Sequence, residues 1–211
     1  MRPPRSLPVI LAAALLAACA PVTSSPPETR ASSATATTPP LAAVSPAPST
    51  AGSPIPVATG LQQIADEGTV TYSRTLTPGQ CHARDSGKLP DPACTPGSAD
   101  PAVTQATIHA TICIRGWTAT IRPPSSETTP LKHDIAYPAY SIPPGTVSEL
   151  DHLVPLELGG SNDVTNLWPE AGPVPNAKDP VENDLRADVC AGELTLATAQ
   201  AAIAADWETV P

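Results

Sequence analysis

The sequence contains no phenylalanine and one methionine, and its aromatic side chains are three tryptophans and three tyrosines. A core built mainly on aromatic rings is therefore excluded. Packing must depend on Val, Ile, Leu and Ala, which bury less apolar surface per side chain than the large aromatic residues do. We expect covalent cross-links to contribute to the stability of such a core.

Basic side chains are also scarce. Residues 60–211 hold 8 Lys and Arg against 19 Asp and Glu, which gives this segment a formal charge of −11. Proteins that bind nucleic acid nonspecifically do so largely by neutralising phosphates with Lys and Arg. The charge of this segment therefore counts against tight, nonspecific binding of a phosphate backbone.

The apolar run at residues 7–18 is too short for a transmembrane helix, which needs about 20 residues. It follows Arg2 and Arg5 and ends at Cys19, which is the order of regions in a signal peptide. Residues 16–19 resemble the lipobox of bacterial lipoproteins. We therefore expect residues 1–19 to be a lipoprotein signal peptide, with Cys19 lipidated and the protein anchored outside the cytoplasm to the cell membrane. The alternative is a plain secretory signal and a secreted protein.

Residues 20–59 are rich in Pro, Ser, Thr and Ala and carry almost no charge. Their few apolar side chains are too sparse to build a core, so this composition predicts a disordered linker. The remaining segment, residues 60–211, is long enough for one compact domain.

Four cysteines, Cys81, Cys94, Cys113 and Cys190, lie in this last segment. In an exported protein an even number of cysteines favours disulfides over free thiols. The sequence leaves three pairings open, of which we favour Cys81 with Cys94 and Cys113 with Cys190. A zinc site is the alternative, but no two cysteines have the Cys-x-x-Cys spacing.

Alternation of apolar and polar residues predicts half-buried strands at residues 69–74 and 106–113, and residues 117–122 are predicted to continue the same sheet. One helix is predicted to begin where Asp179 caps it, with Pro180 at its first position, Glu182 closing a capping box and Gly192 ending it. A second helix is predicted over residues 196–207. These elements predict an α+β fold with a small antiparallel sheet and C-terminal helices.

The densest motif precedes the first of these helices. Residues 149–161 read ELDHLVPLELGGS, residues 166–170 read NLWPE, and residues 176–179 read NAKD. This stretch resembles the HNH endonucleases of the ββα-metal (His-Me finger) nucleases, particularly small exported bacterial members. The resemblance is specific over residues 150–179 and looser over residues 80–207. It implies two antiparallel strands and one helix around a single divalent ion.

The resemblance also implies roles for individual residues. His152 would be the general base, Asp151 a metal ligand, and Asn166 the residue that braces the loop holding the histidine. The third position of the motif corresponds best by spacing to Asn176, as a second metal ligand, although Asn183 is an alternative inside the predicted helix.

The implied reaction is hydrolysis of phosphodiester bonds in nucleic acid outside the cytoplasm, with DNA the favoured substrate. Lys178 is predicted to contact the substrate phosphate. The residue types suit this chemistry, because a histidine titrates near neutral pH and oxygen ligands suit a hard cation such as Mg²⁺. The sequence shows no sign of an obligate protein partner. The alternative function is an inactive lipoprotein that keeps the scaffold and binds a partner or a component of the cell envelope.

Overall fold

The computed structural model describes residues 60–210 of the chain. The predicted signal peptide, the predicted lipidation site Cys19 and the predicted linker lie outside the described residues. Within residues 60–210, no helix is long and apolar enough to span a membrane.

Helices and short strands are mixed along the described chain, which confirms an α+β fold in general terms. The strands are β1 (Gln62–Gln63), β2 (Ser98–Ala99), β3 (Ser148–His152) and β4 (Leu167–Ala171). The helices are α1 (Trp117–Ile121), α2 (Ser125–Pro130), α3 (Tyr137–Ala139), α4 (Asp179–Ala191) and α5 (Leu196–Asp206), and a π-helical stretch, Leu131–Ala136, joins α2 to α3. Short 3₁₀ turns occupy Asp85–Gly87, Ile108–Ala110, Leu156–Leu158 and Trp207–Thr209.

The strands described form two separate pairs. Strands β1 and β2 pair in parallel, whereas β3 and β4 pair antiparallel, with Asp151 opposite Trp168 and His152 opposite Leu167. The small antiparallel sheet that the sequence predicts is therefore limited to β3 and β4, and the parallel pair is an addition. Because α4 is the next helix after β4, these three elements follow one another in the order strand, strand, helix.

The three strands predicted ahead of this unit are wrong. Residues 69–74 contribute an isolated bridge between Thr71 and Asp163 in place of a strand. Residues 106–113 contain a 3₁₀ turn, and residues 117–122 contain α1.

The burial of residues 106–113 explains the error there. Ile108 and Ile112 are buried, but Ala110 between them is exposed. Burial at positions four apart is close to the helical period and not to the period of two that a strand shows. The Thr111 hydroxyl also donates to the Thr107 carbonyl, a local bond that competes with strand pairing.

Helix α4 begins where the sequence predicts, but its N-cap residue, Lys178, makes no side-chain capping bond, and the Asn176 side chain satisfies the first N–H groups instead. The Oδ1 of Asn176 accepts hydrogen bonds from the backbone N–H groups of Lys178 at 2.8 Å and Asp179 at 3.3 Å. In return, the Asp179 carboxylate accepts from the Asn176 N–H at 3.2 Å. This reciprocal pair of hydrogen bonds is like that of a capping box, but it begins two residues before the N-cap at Lys178, and the predicted box between Asp179 and Glu182 is not formed.

Helix α5 and the end of α4 follow the prediction closely. Gly192 adopts a φ of 78° directly after α4, a conformation that glycine adopts without strain at a helix end. Leu196, Ala199 and Ile203 of α5 are buried on one face. Trp207, predicted as the end of that stripe, is also buried and begins the 3₁₀ turn that follows the helix.

The largest part of the core lies between the two C-terminal helices and the loop that connects β3 to β4. Its buried members from these elements are Val154, Leu158, Leu185, Val189, Leu196, Ala199 and Ile203. A second cluster packs Trp168 of β4 and Leu153 against the Cys81–Cys94 bridge. The strand that carries His152 is therefore supported by aliphatic packing and by covalent cross-linking.

Two disulfides, Cys81–Cys94 and Cys113–Cys190, link the described chain, in the pairings that the sequence favours. The second bridge joins positions 77 residues apart and ties the segment before α1 to the end of α4. A disulfide of this kind restricts the unfolded chain and typically adds ~2 to 4 kcal/mol to the free energy of unfolding. The covalent support that a core without phenylalanine requires is thus present.

The loop between β3 and β4 closes on itself at a point where no side chain fits. A Cβ atom on Gly160 would lie 1.7 Å from the carbonyl oxygen of Val154. The Gly160 N–H donates at 2.9 Å to the carbonyl of Pro155. Glycine is the one residue type that allows this approach of two backbone segments, and the approach folds the loop that follows His152 back on itself.

Candidate functional site

Asp151 and His152 are the last two residues of β3, and both line a cavity of about 280 Å³ beside α4. Asp151 is 6 % exposed and His152 is 9 % exposed, so both side chains are largely shielded from bulk water. Both residues pair with residues of β4, and this cross-strand pairing fixes their backbone positions. The two residues at the centre of the predicted site are therefore held together in one place.

The Asp151 carboxylate is held by two buried donors. The Trp168 indole N–H donates to its Oδ2 at 3.1 Å, and the Lys178 ammonium lies 2.9 Å from Oδ2 and 3.2 Å from Oδ1. Lys178 also donates to the His152 carbonyl at 2.6 Å and to the Glu182 carboxylate at 2.7 Å. The lysine is therefore an internal cation between β3 and α4.

This position contradicts the predicted role of Lys178 in contacting substrate. Its side chain is 0 % exposed and its ammonium faces acceptors within the protein. A lysine that contacts substrate must be accessible from solvent, whereas a desolvated ammonium is stable only where acceptors and opposite charges within the protein surround it. Asp151 and Glu182 supply those charges, so the side chain of Lys178 points into the protein and away from solvent.

One ammonium is shared by two carboxylates, and the pKa values reflect this. Burial by itself disfavours the charged lysine, but Asp151 and Glu182 outweigh that effect and hold the pKa of Lys178 above its ordinary value. Burial raises the pKa of Glu182 even though Lys178 opposes the shift, and Asp151 raises it further. Burial and the neighbouring Asp151 likewise raise the pKa of Glu149. The cluster therefore holds more negative charge than its single lysine offsets.

The His152 ring is oriented by Asn162. Its Nε2 lies 2.8 Å from the Asn162 Oδ1. The amide nitrogen of Asn162 donates to two acceptors, the Asp66 carboxylate at 2.8 Å and the Ile121 carbonyl at 2.9 Å. Because those partners accept only, the atom facing His152 must be the amide oxygen, and a neutral His152 must carry its proton on Nε2. The other ring nitrogen, Nδ1, then has a free lone pair.

Burial keeps His152 neutral at physiological pH. Desolvation lowers the pKa of His152 to about 4, and the hydrogen bond to Asn162 opposes this shift without cancelling it. The nearby Arg122 lowers the pKa as well. A neutral imidazole with a free Nδ1 lone pair is the form that accepts a proton in general-base catalysis.

The lowered pKa predicts a loss of stability in acid that His152→Gln should remove. An unfolded chain binds a proton at this imidazole below about pH 6.5, whereas the folded chain resists protonation down to about pH 4. The contribution is therefore fully present above pH 6.5 and is lost as pH falls toward 4, by roughly 3 kcal/mol. Urea unfolding of parent and variant at pH 4.5 and pH 7 measures the difference. Equal pH dependence in the two proteins would show that His152 is not desolvated.

The cavity is lined mainly by acidic side chains from β3, the loop after it and α4. They are Glu149, Asp151, Glu157, Asp179 and Glu182. Asn183 of α4 also lines the cavity. Arg122, which follows α1, is the one Lys or Arg among residues 60–210 that lines it. The Oε2 atom of Glu157 is buried with no hydrogen-bond partner among the described residues. The cavity therefore offers oxygen ligands in excess and one exposed cation at its edge.

Asn166 lies at the other end of the loop that follows His152. It is fully buried, and its Oδ1 accepts from the Val154 N–H at 2.9 Å. Its amide nitrogen donates to the carbonyls of Val154 and Ser161, both at 2.9 Å. The side chain thus ties the start of the loop to its far end, and it has no contact with the cavity.

Asn176 does not lie where a metal ligand of this cavity would. Its Oδ1 is used as the cap of α4, its amide nitrogen donates to the Glu149 carboxylate at 3.1 Å, and it lines a different pocket. Asn183, the alternative, is within α4 and faces the cavity that holds Asp151 and His152. Its amide nitrogen donates to the Asp179 carbonyl at 2.8 Å, which leaves its amide oxygen for a ligand. Asn183 is therefore the better candidate for the third position.

The residues of the cavity fit a hard divalent cation in their chemistry. Within residues 60–210 no three His, Cys, Asp or Glu side chains are grouped as a ready metal site. Mg²⁺, however, commonly uses one or two carboxylates and keeps several waters. The Glu157 Oε2 has no hydrogen-bond partner among the described residues, and burial together with Asp151 raises the pKa of Glu182, so a bound cation would stabilise both carboxylates in their charged form. Asp151, Glu182 and Asn183 are the residues that would hold it.

Sequence reasoning missed Arg122, Asn162 and Glu182 as members of this site. Arg122 lies in a segment predicted as a strand, so it could not be assigned to the cavity. Asn162 follows the Gly-Gly-Ser sequence and reads as an ordinary turn residue. Glu182 is predicted to close a capping box. Only for Glu182 was a signal available, because it lies four residues after Lys178, the spacing of an ion pair on a helix.

Comparison of the chain with protein families, with curated proteins and with solved structures finds no match.

Proposed function

We propose that this protein is a hydrolase of phosphodiester bonds in nucleic acid and that His152 is its general base. The observation that carries the proposal is the fixed neutral imidazole in an acidic cavity. Its Nε2 is committed to Asn162, while Nδ1 has no hydrogen-bond partner within residues 60–210. The Asp-His motif and its resemblance to HNH endonucleases also support the proposal.

In the proposed reaction, Nδ1 of His152 takes a proton from a water molecule, and the water oxygen attacks phosphorus. The bond from phosphorus to the leaving oxygen breaks, and that oxygen takes a proton from solvent. Asn162 stabilises the imidazolium that forms, because its amide oxygen accepts from Nε2. Asn166 holds the loop that follows His152 and so limits the movement of the histidine.

Arg122 is proposed to replace Lys178 as the residue that binds the substrate phosphate. It is exposed, it lines the cavity beside His152, and it makes no salt bridge among the described residues. A free guanidinium binds phosphate oxygens through two parallel hydrogen bonds. Lys132 lines an adjoining pocket together with Arg122 and His152. These two side chains give a phosphodiester a favourable approach to an otherwise acidic cavity.

A divalent cation, Mg²⁺ on the chemistry of the oxygen ligands, would neutralise the phosphate and the leaving oxygen when bound. The excess of carboxylates makes such an ion necessary for the proposed function, because a phosphodiester would otherwise be repelled. Asp151, Glu182 and Asn183 are proposed to hold it, with Lys178 fixing the two carboxylates from the protein side.

The direct test is cleavage of supercoiled plasmid DNA by the purified full chain with Mg²⁺ and, in parallel, with EDTA. We expect nicked or linear products with Mg²⁺ and none with EDTA. Single-stranded DNA and RNA of matched sequence, assayed in the same way, would identify the preferred substrate. Failure to cleave all three with Mg²⁺ or Mn²⁺ would support the alternative, a binding module with an inactive HNH-like scaffold, which the acidic surface favours.

Replacing Arg122 with glutamine should lower kcat/KM for nucleic-acid cleavage by about 10- to 100-fold, because a charge-assisted hydrogen bond to phosphate is worth ~1.5 to 3 kcal/mol. Arg115→Gln is the matched control, since Arg115 is also exposed and is absent from the cavity lining. Steady-state rates on a fluorescent oligonucleotide would measure both. Equal rates for the two variants would remove Arg122 from the proposed site.

A further inference from the structure

A buried aspartate far from the motif in sequence lies behind the residue that orients His152. Asp66 is 5 % exposed, and it is separated from Asn162 by 96 positions. Its Oδ1 accepts from the Asn162 side-chain nitrogen at 2.8 Å, and its Oδ2 accepts from the Asn162 backbone N–H at 2.6 Å. The Asp66 carboxylate thus accepts hydrogen bonds from both the side chain and the backbone of Asn162.

The contacts of Asp66 leave Asn162 a single orientation. Oδ1 of Asp66 also accepts from the Gly68 N–H at 2.9 Å, so the carboxylate is itself fixed by its own turn. The second amide hydrogen of Asn162 is directed to the Ile121 carbonyl at the end of α1. A flipped amide would place its oxygen against the Asp66 carboxylate and the Ile121 carbonyl, both of which are acceptors. The flip is therefore disfavoured by two lost hydrogen bonds and by repulsion from a negative charge.

We propose that Asp66 is a positioning residue that, through Asn162, keeps the proton of His152 on Nε2 and leaves Nδ1 free. The three side chains form a chain of hydrogen bonds from Asp66 to Asn162 to His152. The carboxylate polarises the Asn162 amide, which makes its oxygen a stronger acceptor for Nε2–H, because hydrogen bonds in series strengthen one another in a low-dielectric interior. The consequence for catalysis rests on the function proposed above, whereas the consequence for the histidine tautomer does not.

The tautomer of His152 is the decisive readout, and it needs no substrate. We expect ¹⁵N NMR of the full chain at pH 7 to show Nε2 protonated and Nδ1 unprotonated at His152, assigned by its loss in His152→Gln. In Asp66→Asn the replacement amide no longer offers two acceptor oxygens, so the Nδ1-protonated form should become populated. The kcat for nucleic-acid cleavage should fall about 10- to 100-fold, the range typical of lost supporting hydrogen bonds, with KM nearly unchanged.

Asp163→Asn is the matched control. Asp163 is also a fully buried aspartate, adjacent to Asn162, but its carboxylate accepts hydrogen bonds from Thr71, Ser73 and Thr165 and has no contact with His152. This variant should lose stability without a change of tautomer. If both substitutions shift the tautomer equally, the effect is general loosening of the loop and the proposal is overturned.

The variant Asn162→Ala tests whether Asp66 acts through the amide. It should shift the tautomer as Asp66→Asn does, and adding Asp66→Asn to it should have little further effect on kcat. An additive loss would overturn the proposed order of contacts. Should Asp66→Asn fail to fold, the parent and Asn162→Ala spectra still test the proposal, because a proton on Nδ1 of His152 in the parent, or an unchanged tautomer in Asn162→Ala, would overturn it. A parent that shows the expected tautomer but cleaves no nucleic acid would refute the proposed function and leave this inference standing.

Discussion

Replacing His152 with alanine is expected to lower kcat for phosphodiester cleavage by ~10² to 10⁴, the usual contribution of a positioned general base. The loss follows because Nδ1 of His152 is a basic nitrogen that lines the cavity, is neutral at physiological pH and is oriented by the bond of Nε2 to Asn162. Initial rates of plasmid nicking at saturating Mg²⁺ and pH 7.5 measure the effect.

His109→Ala is the control for this substitution, because His109 is exposed on a 3₁₀ turn and does not line the cavity. It should cleave at the parent rate. Both variants should retain the two disulfides and a cooperative unfolding transition, which shows that any loss of rate is not a loss of fold. A His152→Ala variant that is folded and cleaves at the parent rate would remove the base assignment.

Replacing Lys178 with methionine is expected to destabilise the protein by about 3 to 5 kcal/mol, the typical result of removing one partner from a buried ion pair. Methionine has a similar volume, so the substitution removes the ammonium without leaving a large cavity. Asp151 and Glu182 are then left facing each other with no cation between them. Guanidinium unfolding at pH 7 measures the change in the free energy of unfolding.

The exposed pair of Lys88 and Glu208 supplies the matched control. Lys88 has 54 % of its side chain exposed, so Lys88→Met should leave the free energy of unfolding nearly unchanged. In the double variant Asp151→Asn with Lys178→Met, the total loss should be smaller than the sum of the single losses, because each substitution removes the same interaction. Equal costs for Lys178→Met and Lys88→Met would show that Lys178 is not a buried structural cation.

The elements around the candidate site could be predicted from the sequence because their signals are local. Gly192 ends α4, and the apolar residues of α5 fall on one face at helical spacing. The even number of cysteines and their spacing favoured the disulfides that the structure contains. Each of these signals lies within a few residues or depends on simple counting, so tertiary contacts did not alter it.

The strands and site residues that the sequence did not predict correctly depend on contacts between segments that are distant in sequence. The alternation at residues 106–113 predicts a strand, but burial of Ile108 and Ile112 against the C-terminal helices selects a helical turn. Lys178 is predicted to contact substrate, but the fold places Asp151 and Glu182 against its ammonium and buries it. Asp66 carries no local sign of a role, because its partner Asn162 lies 96 positions away. Such pairings are fixed by the fold as a whole and not by spacing.

The most direct test of the central claim is the rate of plasmid cleavage as a function of Mg²⁺ concentration, measured for the parent, Asp151→Asn and His152→Ala at one neutral pH. Asp151→Asn should require more Mg²⁺ for half-maximal rate and should recover part of its activity at high Mg²⁺, because a ligand is weakened and the base remains. His152→Ala should stay slow at every Mg²⁺ concentration. The account is contradicted if the parent cleaves no phosphodiester at any Mg²⁺ concentration, or if all three proteins cleave with the same rate and the same dependence on Mg²⁺.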